Sequence, residues 1–320
     1  MNNGKIPINF SNFNNDRAIE LLKLTQEAHK RYDKAKEDPK WRWENDLPVI
    51  EVNGAEYQIL TNLGFAHYDW LRRRRIPFGF IAKHQTTQDI YVVFRGTSNA
   101  PEWISNIKFV QESYEQVKNP PLCPTIPPEK LGRVHRGFYK TYTRPDLGGL
   151  IDWVYDFTPH KNYESMRDRV EMFLSKHASS KTRVFVTGHS LGGAIATLCA
   201  LHIHLSNQIS QTIALENLIL YTFASPRVGD QTFAKHFETL ECYRIANSED
   251  IVPKIPIPSL LLACARIPAK NGTTSLTTQL LGKLRYQHIG VPIYFTAQTG
   301  NVSDNHTIPI YLEALRVNRD

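Results

Sequence analysis

The residues with the most explicit chemistry are Gly188-His189-Ser190-Leu191-Gly192. A serine at the sharp turn between a strand and a helix is held in an unfavourable backbone conformation while neighbouring chain closes in. The positions two before and two after it must therefore lack a side chain. Gly188 and Gly192 meet that need, the β-formers Val184, Phe185 and Val186 precede them, and the small residues Gly193, Ala194 and Ala196 follow. Small residues let the helix lie close to the sheet with the positive end of its dipole aimed at Ser190, which favours a developing oxyanion. The chemistry this suits is nucleophilic attack on an acyl carbon.

Serine attacks only if a base takes its proton, and the base needs a third group to hold its tautomer. On elbows of this kind the chain order is nucleophile, acid, histidine. Asp250 follows an apolar strand, Cys242 to Ile245, and is the expected acid, with Glu249 its adjacent rival. Two histidines lie beyond it. His306 ends the polar loop Thr299 to Asn305 ahead of the apolar Ile308 to Leu315, whereas His288, among Tyr286, Ile289 and Val291, reads as a packed side chain. The oxyanion needs donors: the backbone N–H of Leu191 is one, and Thr97, after Phe94-Arg95-Gly96, offers an N–H and a hydroxyl. His202 and His204, two apart on an expected helix, face different directions, and no HExxH is present, so no metal and no cofactor is expected. His135, His160, His177 and His236 carry no partner pattern and read as ordinary surface or core histidines.

These groups need a scaffold. Leu21, Leu22, Leu24, Ala28 and Tyr32 recur at helical spacing within Asp16 to Lys36. Phe78 to Ala82 and Ile90 to Phe94 read as paired strands, and a helical period runs from Tyr163 to His177. The strand Arg183 to Thr187, the helix Ala194 to Leu205 and the strands Leu218 to Phe223 and Cys242 to Ile245 follow. Alternation of strand and helix argues for a mostly parallel central sheet with helices on both faces and reactive groups on loops beyond the strands' carboxyl ends. Pro120 to Pro128 and Lys270 to Thr278 read as loops, and neither marks a domain boundary.

Of the 320 residues, 41% are apolar and 22% charged, the composition of a chain that buries a large core. The longest apolar runs, such as Leu260 to Ala265, fall far short of the roughly 18 residues a membrane span requires. The first thirty residues show no apolar signal segment, so a cytoplasmic location is the expectation, with peripheral contact at membranes. Cys123, Cys199, Cys242 and Cys264 lie far apart and read as free thiols. The net charge is +7, and Arg72 to Arg75 reads either as a solvated loop or as a basic face drawn to anionic headgroups. No nucleic-acid module accompanies that charge.

Several blocks together resemble the class 3 lipase family, the fungal triacylglycerol lipases and their plant and bacterial relatives. They are Val92 to Ser98 (VVFRGTS), Val134 to Phe138 (VHRGF), Val186 to Ala196 (VTGHSLGGAIA), Tyr221 to Asp230 (YTFASPRVGD) and Asp250 to Pro256 (DIVPKIP), in the family's order over approximately Leu21 to Leu315. The resemblance implies an α/β-hydrolase fold, one domain over residues 1–320, the triad Ser190, Asp250 and His306, and an oxyanion hole of Thr97 and Leu191. It also implies a short helical lid over about 98–108, anchored by Trp103 and carrying Ile104 and Ile107 as further apolar contacts; a core-facing helix turn is the plainer reading of the same residues. A closed lid hides an apolar acyl groove and turns its Trp and Ile outward at an interface. The link at about 257–287 is longer than expected of the family, and its Leu260-Leu261-Leu262 could line a groove, touch a membrane or simply pack. The implied activity is hydrolysis of lipid esters, with triacylglycerol, phospholipid and galactolipid headgroups open, and with transient contact at a lipid interface or membrane surface. Oligomeric state is left open. Two other readings are a catalytically silent lipase-like domain that binds lipids or partners, and a soluble short-chain esterase.

Overall fold

The first helix, α1, spans Asn15–Glu37 and starts where the Asn14 side chain accepts a hydrogen bond from the Arg17 amide, satisfying one of the orphan donors of a helix start. Its Leu21, Leu22, Leu24 and Ala28 are buried, as their spacing requires. The computed structural model describes residues 12–38, 40–41, 46–69, 72–97, 110–114, 130–143, 164–206, 213–256 and 286–317, with the side chains of 65–69 and 72–76 outside the description.

After α1 come β1 (Val49–Val52), β2 (Ala55–Asp69), β3 (Arg72–His84) and β4 (Ile90–Phe94), each antiparallel to the next. A small separate pair, β5 (Gln111–Ser113) and β6 (Arg133–His135), leads into α2 (Arg136–Thr143) and α3 (Met166–His177). Next are β7 (Val184–His189), α4 (Leu191–Leu205), β8 (Leu218–Phe223), the short α5 (Gln231–Lys235), β9 (Glu241–Asn247), β10 (Val291–Phe295) and α6 (Ile308–Val317). Among the described residues the main sheet has eight strands in the order β1-β2-β3-β4-β7-β8-β9-β10, and β4 through β10 of that order run parallel. This is the expected mostly parallel sheet, with an antiparallel edge.

Both faces of the central strands β4, β7 and β8 are buried. Ile90, Val92 and Phe94 of β4 join Val184 and Val186 of β7, Val170 of α3 and Leu198 of α4 in one apolar cluster. The alternate residues Tyr91, Val93, Phe185 and Tyr221 join Leu21 and Leu22 of α1 and Leu312 of α6 in another. Strands covered on both sides read as unbroken apolar runs, which is why β4, β7 and β8 stood out in the sequence. Each large apolar side chain so buried contributes about 1.5–3 kcal/mol before entropy is counted.

Two expectations about the antiparallel edge change. Arg72 to Arg75 are not a loop: they open β3 and pair with β2, with His67 opposite Arg74. β3 also extends well beyond Phe78 to Ala82. Pro77, which has no N–H to give the ladder, sits opposite Gly64 where the β2–β3 register shifts. Pro292 is accommodated in β10 because that strand lies at the edge of the sheet.

The parallel strands carry the site. Thr97 follows β4, Ser190 follows β7, Asp250 follows β9 and His306 follows β10, so all four lie beyond the carboxyl ends of neighbouring strands, where ligands of open α/β sheets bind.

Candidate active site

Ser190 has φ +58° and ψ −125°, left-handed backbone that a serine adopts only under constraint. The constraint is visible. Its N–H donates to the Phe223 carbonyl at 2.9 Å, and its own carbonyl accepts from the Gly193 amide at 2.9 Å as α4 begins. A Cβ on Gly188 would stand 2.3 Å from the Gly192 carbonyl oxygen, and one on Gly192 would stand 2.4 Å from the Arg95 carbonyl oxygen. Both glycines are therefore demanded by close approach, as the spacing predicts. Strain of this kind costs about 1–3 kcal/mol and places the hydroxyl at the tip of the turn.

The acid and the histidine meet. His306 Nδ1 lies 2.7 Å from Asp250 Oδ2. Asp250 is fully buried, and its carboxylate also accepts from the Tyr311 hydroxyl at 2.8 Å and, through Oδ1, from the Val252 amide at 2.9 Å. Three donors offset the cost of removing that charge from water. The backbone of Glu249, the rival acid, serves the loop instead: its N–H donates to Asn247 Oδ1 and its carbonyl accepts from Asn305 Nδ2. Asn247 ties the same loops together through Ala297 and the Asn305 carbonyl, and its N–H donates to Tyr311.

Because a carboxylate only accepts, Nδ1 of His306 carries the proton and Nε2 is left as a bare acceptor. His306 Nε2 and Ser190 Oγ are both buried polar atoms without a hydrogen-bond partner. The His306 ring packs on His189, ring centroids 4.7 Å apart, and burial holds His189 well below the ordinary histidine pKa, so it stays neutral there.

Thr97 is half-buried at the end of β4, and the preceding Gly96 is pressed against the elbow. A Cβ on Gly96 would lie 3.1 Å from Ser190 Cβ and 2.9 Å from the His189 carbonyl oxygen. Leu191 is the first residue of α4, so its N–H is among those at the helix start. The structure thus gathers Ser190, Asp250, His306, Thr97 and Leu191 at one edge of the sheet. Trp103, Ile104 and Ile107, the expected lid residues, lie outside the described residues, as do 257–285 with Leu260 to Leu262, and Cys123, Cys264 and His160. A cavity of about 590 Å³ lies elsewhere, at the amino-terminal ends of β9 and β10, lined by Leu240, Tyr243, Tyr286 and Val291 among others and by none of the five gathered residues.

Two of the remaining histidines, His135 and His202, are buried and hydrogen-bonded. His135 Nδ1 accepts from the Gly137 and Phe138 amides at the start of α2, and His202 pairs with the Tyr142 hydroxyl at 2.7 Å inside the core. Cys199 and Cys242 are buried free thiols. Sequence reasoning passed over Tyr311, Asn247, His189 and His29, a histidine of α1 whose Nε2 accepts the Gly96 N–H at 3.0 Å.

A family model described as Lipase (class 3) matches residues 91–260, more than half of the chain and the stretch from Tyr91 in β4 past the acid. The chain belongs to the class 3 lipase family. Relatives of this chain include the lipase of Rhizomucor miehei, 35% identical over 178 residues that make up 55% of this chain and 40% of that one. Phospholipase A1-II 4 of Oryza sativa subsp. japonica is 34% identical over 172 residues, 53% of this chain and 40% of its own. The chain thus spans about 40% of the length of these curated relatives. Among solved structures, the Rhizomucor miehei triacylglyceride lipase shares 23% identity with a TM-score of 0.50, covering 89% of this chain and 82% of that one. MDLA from Penicillium cyclopium, in a mutant form, shares 18% identity with a TM-score of 0.51, covering 88% and 80%. At that identity the likeness is one of fold, and this chain has the α/β-hydrolase fold.

Proposed function

We propose that this class 3 lipase hydrolyses carboxylic esters of lipids through Ser190, His306 and Asp250. Ser190 Oγ attacks the ester carbonyl carbon while its proton passes to His306 Nε2, and the carbonyl oxygen takes the negative charge. The N–H of Leu191 and the N–H and hydroxyl of Thr97 stabilise that oxyanion, each well-placed donor being worth about 3–4 kcal/mol. Collapse expels the alcohol, which takes the proton from His306 and leaves an acyl-serine. Water, deprotonated by the same imidazole, then releases the fatty acid and restores the hydroxyl. Asp250 holds the tautomer and stabilises the imidazolium throughout.

One observation carries this reading: the 2.7 Å contact between His306 Nδ1 and Asp250 Oδ2, which leaves Nε2 bare beside an elbow that presents Ser190. The relatives support the substrate class. They are a fungal lipase and a plant phospholipase A1, so the ester is that of a glycerolipid, taken up in transient contact with a lipid surface.

A fluorophosphonate probe tests the proposal, since it reports an activated serine irrespective of headgroup. Labelling of the native chain that is lost in Ser190→Ala and kept in Ser175→Ala, a serine of α3, is the expected outcome. A native chain that takes no label would make the domain a silent lipid- or partner-binding module instead.

A further inference from the structure

Gly96 is held on both sides, by the side chain of its neighbour Arg95 and by one from α1. Its carbonyl accepts from Arg95 Nη1 at 2.6 Å, and its N–H donates to His29 Nε2 at 3.0 Å across 67 residues of chain. The Arg95 guanidinium is itself anchored to the Pro77 carbonyl at 3.0 Å and lies 3.7 Å from the centre of the Tyr32 ring of α1. Gly96 immediately precedes Thr97 and is packed against Ser190. We infer that His29 is a positioning residue: as an unprotonated acceptor it fixes the Gly96 peptide, and so sets Thr97 where the oxyanion forms. The inference rests on the proposed function and deepens it, since α1 would otherwise serve only to cover the sheet.

The physical case is one of direction. The Gly96 N–H aimed at His29 fixes the plane of the Arg95–Gly96 peptide, and the Gly96 carbonyl bonded to Arg95 Nη1 fixes the plane of the next, which carries the Thr97 N–H. Misplacement of a catalytic group by about 1 Å costs on the order of a hundredfold in rate. Only a neutral ring can accept here, and the surroundings keep it so. Burial, the Arg95 charge and the neighbouring His306 together bring the His29 pKa down to about 4. Among the described residues the groups that face it are Arg95, His306 and the His189 ring, 6.4 Å away centroid to centroid, with Tyr32 and Asp33 bearing on Arg95. A charge on His29 would also oppose the imidazolium that His306 becomes during turnover.

The test compares the full chain with His29→Leu, which removes the acceptor, and His29→Gln, whose amide oxygen reaches about as far as Nε2. Fluorophosphonate labelling rate and kcat and KM on a soluble p-nitrophenyl ester are measured at pH 7, with the kcat profile followed down to pH 4. The expected result is a kcat and a labelling rate about ten- to a hundredfold lower in His29→Leu, with KM held within about twofold. His29→Gln restores both to within about threefold of native, and its acid limb no longer carries the His29 titration. Equal rates in native and Leu forms would overturn the assignment, as would Leu and Gln forms equally impaired, the mark of a purely packing role. If His29→Leu does not fold, a well-folded His29→Gln with native kcat sustains the assignment and an impaired one overturns it. A native chain that is not labelled at all would remove the proposed function, and His29's role with it.

Discussion

An imidazole with its Nδ1 2.7 Å from an ionised carboxylate has one useful tautomer. Replace Asp250 by Asn and the amide can present a hydrogen instead, which flips the proton to Nε2 and removes the base without moving a heavy atom. Asp250→Asn is therefore expected to lower kcat about 10⁴-fold on a soluble ester while leaving KM close to native, by analogy with the serine-protease case. Steady-state kinetics on a variant shown to be folded by circular dichroism check this. At this scale the sequence was informative where chemistry restricts residue type and order. Ser190 is framed by two obligatory glycines, and His306 is one of two histidines beyond the acid. Tyr311 and His29 were not legible, because nothing local marks a tyrosine that donates to a carboxylate 61 positions away or a histidine that accepts from an amide 67 positions away.

At the scale of elements, the elbow works because β7, α4 and the end of β4 approach within contact distance. Gly192 is where α4 meets the end of β4, and a methyl there meets the carbonyl oxygens of Phe94 and Arg95 at 2.5 and 2.4 Å. Neither can withdraw without breaking β4 or losing the turn into α4. Gly192→Ala is expected to lower unfolding free energy by about 1–3 kcal/mol, the range for a forced overlap in a packed core. Urea titration would show it as a lower midpoint with the slope unchanged. The buried parallel strands were readable as apolar runs for the reason already given, that both faces are covered. β1, β2 and β10 were not: they lie toward the edges, interleave polar residues, and in β10 include Pro292. The arginines of β3 misled for the same reason, since a charged run on an outer strand has the composition of a loop.

For the molecule as a whole, histidines drawn partly out of water are kept neutral, and folding thereby becomes sensitive to acid. His29 is brought down to about 4 and His288 to about 3, both chiefly by burial. An unfolded chain binds those protons near the ordinary value of 6.5, so between 6.5 and the folded values it holds more protons than the native state. Stability is therefore full above about pH 6.5 and falls as the pH drops toward 4 and then 3. Urea unfolding at pH 7 and pH 5 should give a lower midpoint at pH 5. A midpoint that rose or held steady would mean these rings are solvated and free to charge.

The central claim is that Ser190 and His306 act as one unit, and a double-mutant cycle on kcat measures it directly. Ser190→Ala, His306→Ala and the double variant are assayed on the same soluble ester, each at a protein concentration high enough to see residual turnover. If one proton passes between the two atoms, each single change falls to nearly the rate of the double, because either loss disables the whole relay. Losses that multiply, or a His306→Ala chain that retains most of its native rate, would contradict the account.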